Sequence, residues 1–562
     1  MSAAREALLL AVGCLVLYLA GAGDIPFYTR GEPREGLVVR EMLASGEWLV
    51  PARPEGELAR KPPLYYWAAA SAARVLPARP ELALRLPSAV LGTVGVLLTW
   101  ATARSVWGAA AGLPAGLVLA TTFEWTRAAS SARVDMALAA ALSATLAGWT
   151  FALARGGRGG TALAALGVAL GTLAKGPVAL VLPALAAIGL LLARRDVRPL
   201  RVAPVLGTAA LVAGAWYALA FAREGSALLG VVARENWLRF IDPEGAATGH
   251  AHGVGYLVPL GLVGWLPWTP LLPLAYPRER PRSATAVLAA SWVVTGVAFF
   301  SLAAAKRSVY LLPLYPAVAL LIGAGVAAPA PDARLERLAR RGAALYLPAA
   351  LLLSALAGAL ALGGDPVALV RPWLRPDDAA GAAALVAAAR GAPRWLAFLA
   401  GVTAVAALAG ARAGAWRRRV LTVAALFALW TVSFNVLLHP TVARERSLQG
   451  FFGDVARLVP PGAPLYALYP PDPGLRFYAP PTLREWPANG AAAGAGLLLW
   501  EDEWQRRRDA SGRTLTVVAL SAARQAERGR LALVVAPGGP LVRAPDGAPP
   551  LPLDVRRGSR SP

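Results

Sequence analysis

A chain of 562 residues, 57% of them hydrophobic and with a mean hydropathy of +0.51, is too apolar for a soluble globule and reads as a polytopic membrane protein. Its formal net charge of +23 does not point to nucleic acid, because the basic residues sit in short blocks between apolar runs, the pattern of cytoplasmic loops. The single cysteine, Cys14, lies in the first apolar run, which excludes an intramolecular disulfide and a cysteine metal cage.

Apolar runs of roughly 16–22 residues predict about thirteen membrane helices. The first covers 7–22 and, without a convincing signal-peptide cleavage site, reads as a retained span running outward from the cytoplasm. A polar stretch from Asp24 to Trp67 follows, inside a first external loop of 24–83. Its helix-like pieces at 33–45 and 62–75 are amphipathic and expected to lie in the interface. Spans are expected near 84–104, 109–123 and 136–154, then two shorter runs, 161–174 and 177–193, parted by Lys175-Gly176-Pro177. Further spans end near 222 and cover 254–276, 285–304, 309–327, 343–362, 394–411 and 420–438, completing a membrane domain of 1–439. Beyond it, strand-like runs at 465–469, 496–500 and 531–535 and helix-like stretches at 446–458 and 516–528 predict a small external α/β domain, 440–545. The Pro-rich tail 546–562 is expected to be disordered.

Charge supports this map. With the N-terminus inside, the blocks RGGRGG, RRDVRPLR, PRERPR, RLERLARR and RAGAWRRR all fall on the cytoplasmic face. The same alternation places Glu32, Lys61, Asp135, Lys175, Glu235, His250, His252, Lys306 and His439 on the opposite face, as an external active site requires. Lysine occurs only at 61, 175 and 306 in an arginine-rich chain, so a compact ammonium is wanted at those places. Lys61 precedes a helix start, where free N–H groups can join it on a phosphate. Lys175 sits at a Gly-Pro break between short apolar runs, where an ionisable group reads as functional. Lipid-headgroup binding for Lys61 and snorkelling for Lys175 are the structural alternatives.

GEPREGLVVREMLASGEWLVP followed by RKPPLYYW resembles the first external loop of GT-C bacterial glycosyltransferases of the lipid A aminoarabinose transferase and protein mannosyltransferase type (glycosyltransferase family 39). ARVDMAL (132–138), LAKGPVALVLP (173–183), ENWLRF (235–240), GWLPW (264–268) and KRSVYLLPLYPA (306–317) follow in the family's order, so the resemblance covers roughly residues 7–330. The later spans resemble the family only in general plan. The likeness implies a GT-C-like helical membrane fold and transfer of a sugar, with inversion, from a polyprenyl-phosphate carrier to a lipid, glycan or protein acceptor outside the cytoplasmic membrane.

Carried onto this chain, the resemblance makes Glu32 the base for the acceptor. It assigns donor phosphate to Lys61, Arg34, Lys175, Lys306, Arg307 and His250. Asp135, Arg133, Tyr66, Glu235, His252 and Tyr310 would bind or orient substrate. Two departures stand out. Gly31 replaces the first acid of the family's loop, so either Glu32 takes its role or the acceptor arrives ionised, and Arg60 stands where an acid often precedes the lysine. Glu32 as a helix-capping acid, Tyr65, Tyr66 and Trp67 as an interfacial anchor, and a local Arg133–Asp135 ion pair are the structural readings of the same residues. His250 and His252, two apart, could bind a divalent metal if a carboxylate converged, but the sequence shows no complete ligand set, so no cofactor is expected. The competing functional reading is a flippase for a lipid-linked sugar. The absence of an inverted repeat and the one-sided polar groups disfavour it.

Overall fold

The computed structural model describes residues 2–535 except 195, 239–251, 277–282, 329–331, 375, 413, 461, 468–470, 486–495, 504, 506–515 and 526–528. His250 and the tail 546–562 therefore lie outside the described residues. In chain order the helices are α1 (Ala3–Leu19), α2 (Gly31–Ser45), α3 (Leu64–Val75), α4 (Pro80–Trp107), α5 (Ala109–Ala120), α6 (Phe123–Ala129), α7 (Val134–Arg155), α8 (Arg158–Lys175) and α9 (Val178–Arg194). There follow α10 (Val202–Glu224), α11 (Ser226–Val232), α12 (Leu257–Gly264), α13 (Ala284–Leu302), α14 (Tyr315–Ala327), α15 (Ala333–Ala344), α16 (Tyr346–Ala361), α17 (Pro376–Arg390), α18 (Pro393–Arg412) and α19 (Trp416–Ser433). The last are α20 (His439–Arg446), α21 (Gln449–Leu458) and α22 (Pro473–Tyr478).

Among the described residues eight helical stretches are long and apolar enough to cross a membrane, or nine if a bent pair counts as one span. That is fewer than the number of apolar runs suggests, because several runs are spent on shorter helices. α5 and α9 are shorter apolar helices of 12 and 17 residues. The run 254–276 is not a straight span: Val254–Gly264 and Thr269–Ala275 meet at 102°. Pro267 and Pro270 stand at that bend, where neither can donate to a helical ladder.

The chain divides into two compact units. Unit 1 comprises Met1–Gly23, Val38–Leu362 and Pro393–Val436. In it α7 and α8 pack backbone against backbone, and the sequence explains why. A Cβ on Gly148 would lie 2.5 Å from the Gly160 carbonyl oxygen and the Ala164 nitrogen, and one on Gly167 would lie 2.5 Å from the Ala141 carbonyl oxygen. Small residues let these backbones touch, which is how apolar helices associate when lipid competes equally for their side chains. α1 is tied down by polar contacts: Glu6 accepts from Arg104 at 2.8 Å, and the Tyr18 hydroxyl donates to the Ala120 carbonyl at 3.0 Å. Farther along, Ser354 donates to the Ala400 carbonyl between α16 and α18, and the Trp430 indole donates to Thr403 between α19 and α18.

Unit 2 gathers Asp24–Leu37, Gly363–Ala392 and Leu437–Pro562. Its five-stranded sheet has the order β2-β1-β3-β5-β4, with β1 (Leu465–Ala467), β2 (Leu483–Glu485), β3 (Gly496–Trp500), β4 (Thr516–Gln525) and β5 (Gly529–Val535). β1 runs parallel to β2 and β3, whereas β5 is antiparallel to both β3 and β4. Phe451, Phe452 and Val455 of α21 and Leu475 of α22 pack on one sheet face with Leu465, Leu498, Trp500, Leu531 and Leu533. Of the helix expected at 516–528, residues 516–525 are instead strand β4. Its opening Thr516-Val517-Val518 favours extended backbone, and pairing to β5 supplies the hydrogen bonds a helix would otherwise make.

Candidate active site

Within unit 1 the structure brings Lys61, Arg133, Asp135, Lys175, Glu235 and Tyr310 into one charged constellation. Asp135, at the first turn of α7, takes a hydrogen-bonded ion pair from Lys175 at the end of α8. Both side chains are 15% exposed. The Lys175 ammonium also lies over the Tyr310 ring, 5.1 Å from its centre. Asp135 therefore pairs across helices rather than with Arg133, which caps α7 through its backbone and keeps a buried Nε that has no hydrogen-bond partner among the described residues. The charges of Arg133 and Lys61 nevertheless act on Asp135 as well as that of Lys175.

The second ion pair joins Lys61, just before α3, to Glu235 at 2.6 Å, with Arg60 at 4.0 Å from the same carboxylate. The acid missing from the position before Lys61 is thus supplied from 174 residues away. Glu235 sits in a π-helical turn, Ala233–Leu238, that follows α11. The two pairs are neighbours through Gly176, whose φ of +85° ends α8. A Cβ there would approach the Asn236 side chain at 3.1 Å and the Tyr217 hydroxyl at 3.3 Å, so the break beside Lys175 needs glycine for both its backbone and its space.

A third group escaped the sequence reading. Glu124, 3% exposed in α6, accepts two hydrogen bonds from Arg127, at 2.9 and 2.5 Å, and one from Ser308 at 3.3 Å. Burial opposes the Arg127 charge, but the Glu124 hydrogen bonds and carboxylate prevail and hold its pKa above the usual arginine value, with Asp135 and Tyr315 adding to the effect. The signal was present in the polar bend EWTRAASSARVD, yet nothing in the spacing said which of its charges would turn inward.

The other expected residues of this unit have partners of their own. Lys306 is buried, and its ammonium donates to the Ala303 carbonyl at 2.5 Å and the His252 carbonyl at 2.7 Å. Two of its three donors are thereby used to hold the chain ahead of α12. The His252 ring stacks on Tyr256, their centres 3.7 Å apart. Arg307 is half-buried at the cap of the 3-10 turn Ser308–Leu314. Tyr65 and Tyr66 are buried in the protein rather than set out as an interfacial anchor, with the Tyr65 hydroxyl donating to the Leu84 carbonyl. Among the described residues no group of three or more His, Cys, Asp and Glu side chains is arranged to hold a metal ion.

In unit 2, Glu32 lies buried in the first turn of α2, beside Pro33, and the Arg34 guanidinium is held by Glu35 at 2.7 Å. The segment leading to it is fastened within the same unit. The Phe27 amide donates to the Tyr478 hydroxyl at 2.7 Å, Ser447 donates to the Phe27 carbonyl at 2.9 Å, and Tyr28 is hydrogen-bonded to His439 at 2.9 Å.

Comparison with known proteins follows this geometry. Residues 60–221 match the family described as dolichyl-phosphate-mannose-protein mannosyltransferase. The undecaprenyl phosphate-α-4-amino-4-deoxy-L-arabinose arabinosyl transferase of Pectobacterium carotovorum is 28% identical over 358 residues, 62% of this chain and 64% of that protein. A Pseudomonas fluorescens protein of the same description is 30% identical over 303 residues, 52% of each chain. The matched stretches thus span less than two thirds of these relatives. The crystal structure of ArnT from Cupriavidus metallidurans bound to undecaprenyl phosphate superposes with a TM-score of 0.74 and 22% identity, covering 95% of this chain and 98% of that one. The GT-C glycosyltransferase resemblance read from the ordered motifs is therefore borne out, and the chain has the ArnT membrane-protein fold.

Proposed function

We propose that this chain is an integral membrane glycosyltransferase that moves a sugar from an undecaprenyl-phosphate-type donor to a lipid, glycan or protein acceptor on the external face of the bacterial cytoplasmic membrane. The observation that carries the reading is the Asp135–Lys175 pair beside Lys61–Glu235, a half-buried set of lysines held by carboxylates in a chain with the ArnT fold. The names of the relatives supply the donor class. The one-sided arginine blocks support the orientation, with residues 1–439 as the membrane domain and 440–545 external.

In this reading the bond from the anomeric carbon to the phosphate oxygen breaks and its electron pair stays on the phosphate. Lys61, Lys175, Arg34, Arg307 and His250 are the proposed cations for that charge, and prepositioned cations act where charge develops. Lys306 keeps one donor for the phosphate while it holds the His252 segment. The acceptor oxygen bonds to the opposite face of the anomeric carbon, and its proton passes to the Glu32 carboxylate. Asp135 and Glu235 hold the lysines in place, and Arg133, Tyr66, His252 and Tyr310 orient substrate.

The test is transfer of radiolabelled sugar from a panel of polyprenyl-phosphate sugars to total membrane lipid and protein, using membranes with equal amounts of wild type, Glu32→Gln and Lys61→Ala. Transfer by wild type, lost in both variants, is the expected result. Transfer that survives Glu32→Gln removes Glu32 as the base, and no transfer with any donor removes the reading.

A further inference from the structure

The sheet of unit 2 has no part in the proposed reaction, yet the segment that brings in Glu32 is fastened to the elements packed on it. Residues 25–30 lie outside any helix or strand. Such a segment takes its course from whatever satisfies its backbone groups. Here side chains from the far end of the chain do so. Tyr478 accepts from the Phe27 amide at 2.7 Å, and Ser447 donates to the carbonyl of the same residue at 2.9 Å. His439 is hydrogen-bonded to the Tyr28 hydroxyl at 2.9 Å. The Phe27 ring, 2% exposed, packs on Phe477 with centres 5.1 Å apart.

Each anchor is itself held. Tyr478 closes α22 and packs against the sheet core, in which Leu475 of the same helix is buried. Ser447 is buried and also accepts from the Gln449 amide at 3.2 Å, at the start of α21, whose Phe451, Phe452 and Val455 belong to that core. His439 opens α20 and meets the Tyr28 ring edge-on, 5.7 Å between centres. Only Thr29 and Arg30 separate Tyr28 from the start of α2 at Gly31, and Glu32 stands in the first turn of that helix. Pinning Phe27 and Tyr28 therefore fixes how the chain enters α2, and the Glu32 carboxylate moves with that entry. A general base works only within hydrogen-bond reach of the proton it takes, and a misplacement of about 1 Å can cost about a hundredfold in rate.

We propose that Tyr478, Ser447 and His439 are positioning residues for the transfer reaction: through Phe27 and Tyr28 they hold the start of α2 so that the Glu32 carboxylate meets the acceptor hydroxyl. The inference rests on the reading of Glu32 as the base. It gives the C-terminal α/β unit a task, as the clamp on the segment that carries that base. Replacing Tyr28 and Tyr478 by phenylalanine cuts the ties to His439 and to the Phe27 amide and keeps both rings, so the packing of Tyr478 on the sheet core is retained.

The experiment pairs hydrogen exchange with sugar transfer in the full-length enzyme, using the polyprenyl-phosphate sugar of the panel above that wild type accepts. The variants are Tyr28→Phe/Tyr478→Phe, Glu32→Gln and, as a control within the sheet, Ser521→Ala, which loses hydrogen bonds to the Ala523 carbonyl and the Leu531 amide. In the double variant the amides of 24–37 should exchange at least about tenfold faster, and those of β3 and β5 at the wild-type rate. Its kcat should fall at least about tenfold near neutral pH. Hydroxide can take over from a misplaced base, so the deficit should narrow as the pH is raised to about 9, as it does in Glu32→Gln. Ser521→Ala should keep kcat within about twofold of wild type. A deficit that is the same at both pH values, or that Ser521→Ala shares, would make the contacts merely structural and overturn the proposal. Unchanged exchange over 24–37, or faster exchange with wild-type kcat, would overturn it too. In each of those cases a Glu32→Gln enzyme without transfer leaves Glu32 as the base, whereas transfer that survives Glu32→Gln removes that reading and the clamp's role with it. If the double variant does not fold, Tyr478→Phe alone carries the same comparison.

Discussion

α7 and α18 are matched in mean hydropathy and are used in opposite ways. The span window of α7 is 83% buried inside the protein, whereas that of α18 is 22% buried. The same contrast separates Ser308–Ala327, at 89%, from Ala333–Ala361, at 11%. Asp135, Lys175 and Tyr310 all belong to the enclosed part. An ion pair needs a surrounding of low dielectric and a fixed backbone to be strong, and only helices hemmed in by other helices provide both. Apolar composition brings a helix into the membrane; its neighbours decide whether it faces lipid or protein.

That contrast can be broken, most severely at the glycines. Gly167→Leu in α8 would drive a side chain into the backbone of α7 and should cost more than about 3 kcal/mol, seen as loss of monodisperse protein on size exclusion. Gly401→Leu in α18, where nothing lies within 4 Å of the added carbon, should leave the elution profile unchanged. Equal damage at both would mean that the later helices are as tightly enclosed as the early ones.

Arg127→Leu strands the Glu124 carboxylate in the protein interior and should lower stability by about 3 kcal/mol in thermal unfolding. Glu124→Gln should cost less, because Arg127 is 37% exposed and water can still reach its charge. Lys175→Ala should reduce sugar transfer by at least about a hundredfold at equal protein level, and Arg412→Ala at the end of α18 should stay within about twofold. A Lys175→Ala enzyme with near-normal transfer would leave the pair a structural one. The smallest effect is expected at Leu352→Ala on α16, under about 0.5 kcal/mol, since that side chain is already 61% exposed.

Much of the first half was legible because its signals are local. The helices expected at 33–45 and 62–75 are α2 and α3, and the charged break at Lys175 does end α8. The pairing of those charges was not legible. Lys61 finds its carboxylate at Glu235, and Asp135 passes over nearby Arg133 for Lys175. Glu124 went unremarked because a glutamate in a polar bend looks the same whether it meets water or an arginine. Stretch 516–525 failed for a related reason: its short apolar run suits helix or strand, and β5 settled the matter.

Hydropathy and charge spacing were enough for the class of molecule and for most of its helix order, since each of these is a property of neighbouring positions along the chain. Which cation met which acid, which apolar helix was enclosed, and the gathering of Asp24–Leu37 with the C-terminal sheet came only with folding. Those are contacts between positions tens to hundreds of residues apart. Their energies depend on burial and distance, which no stretch of sequence contains.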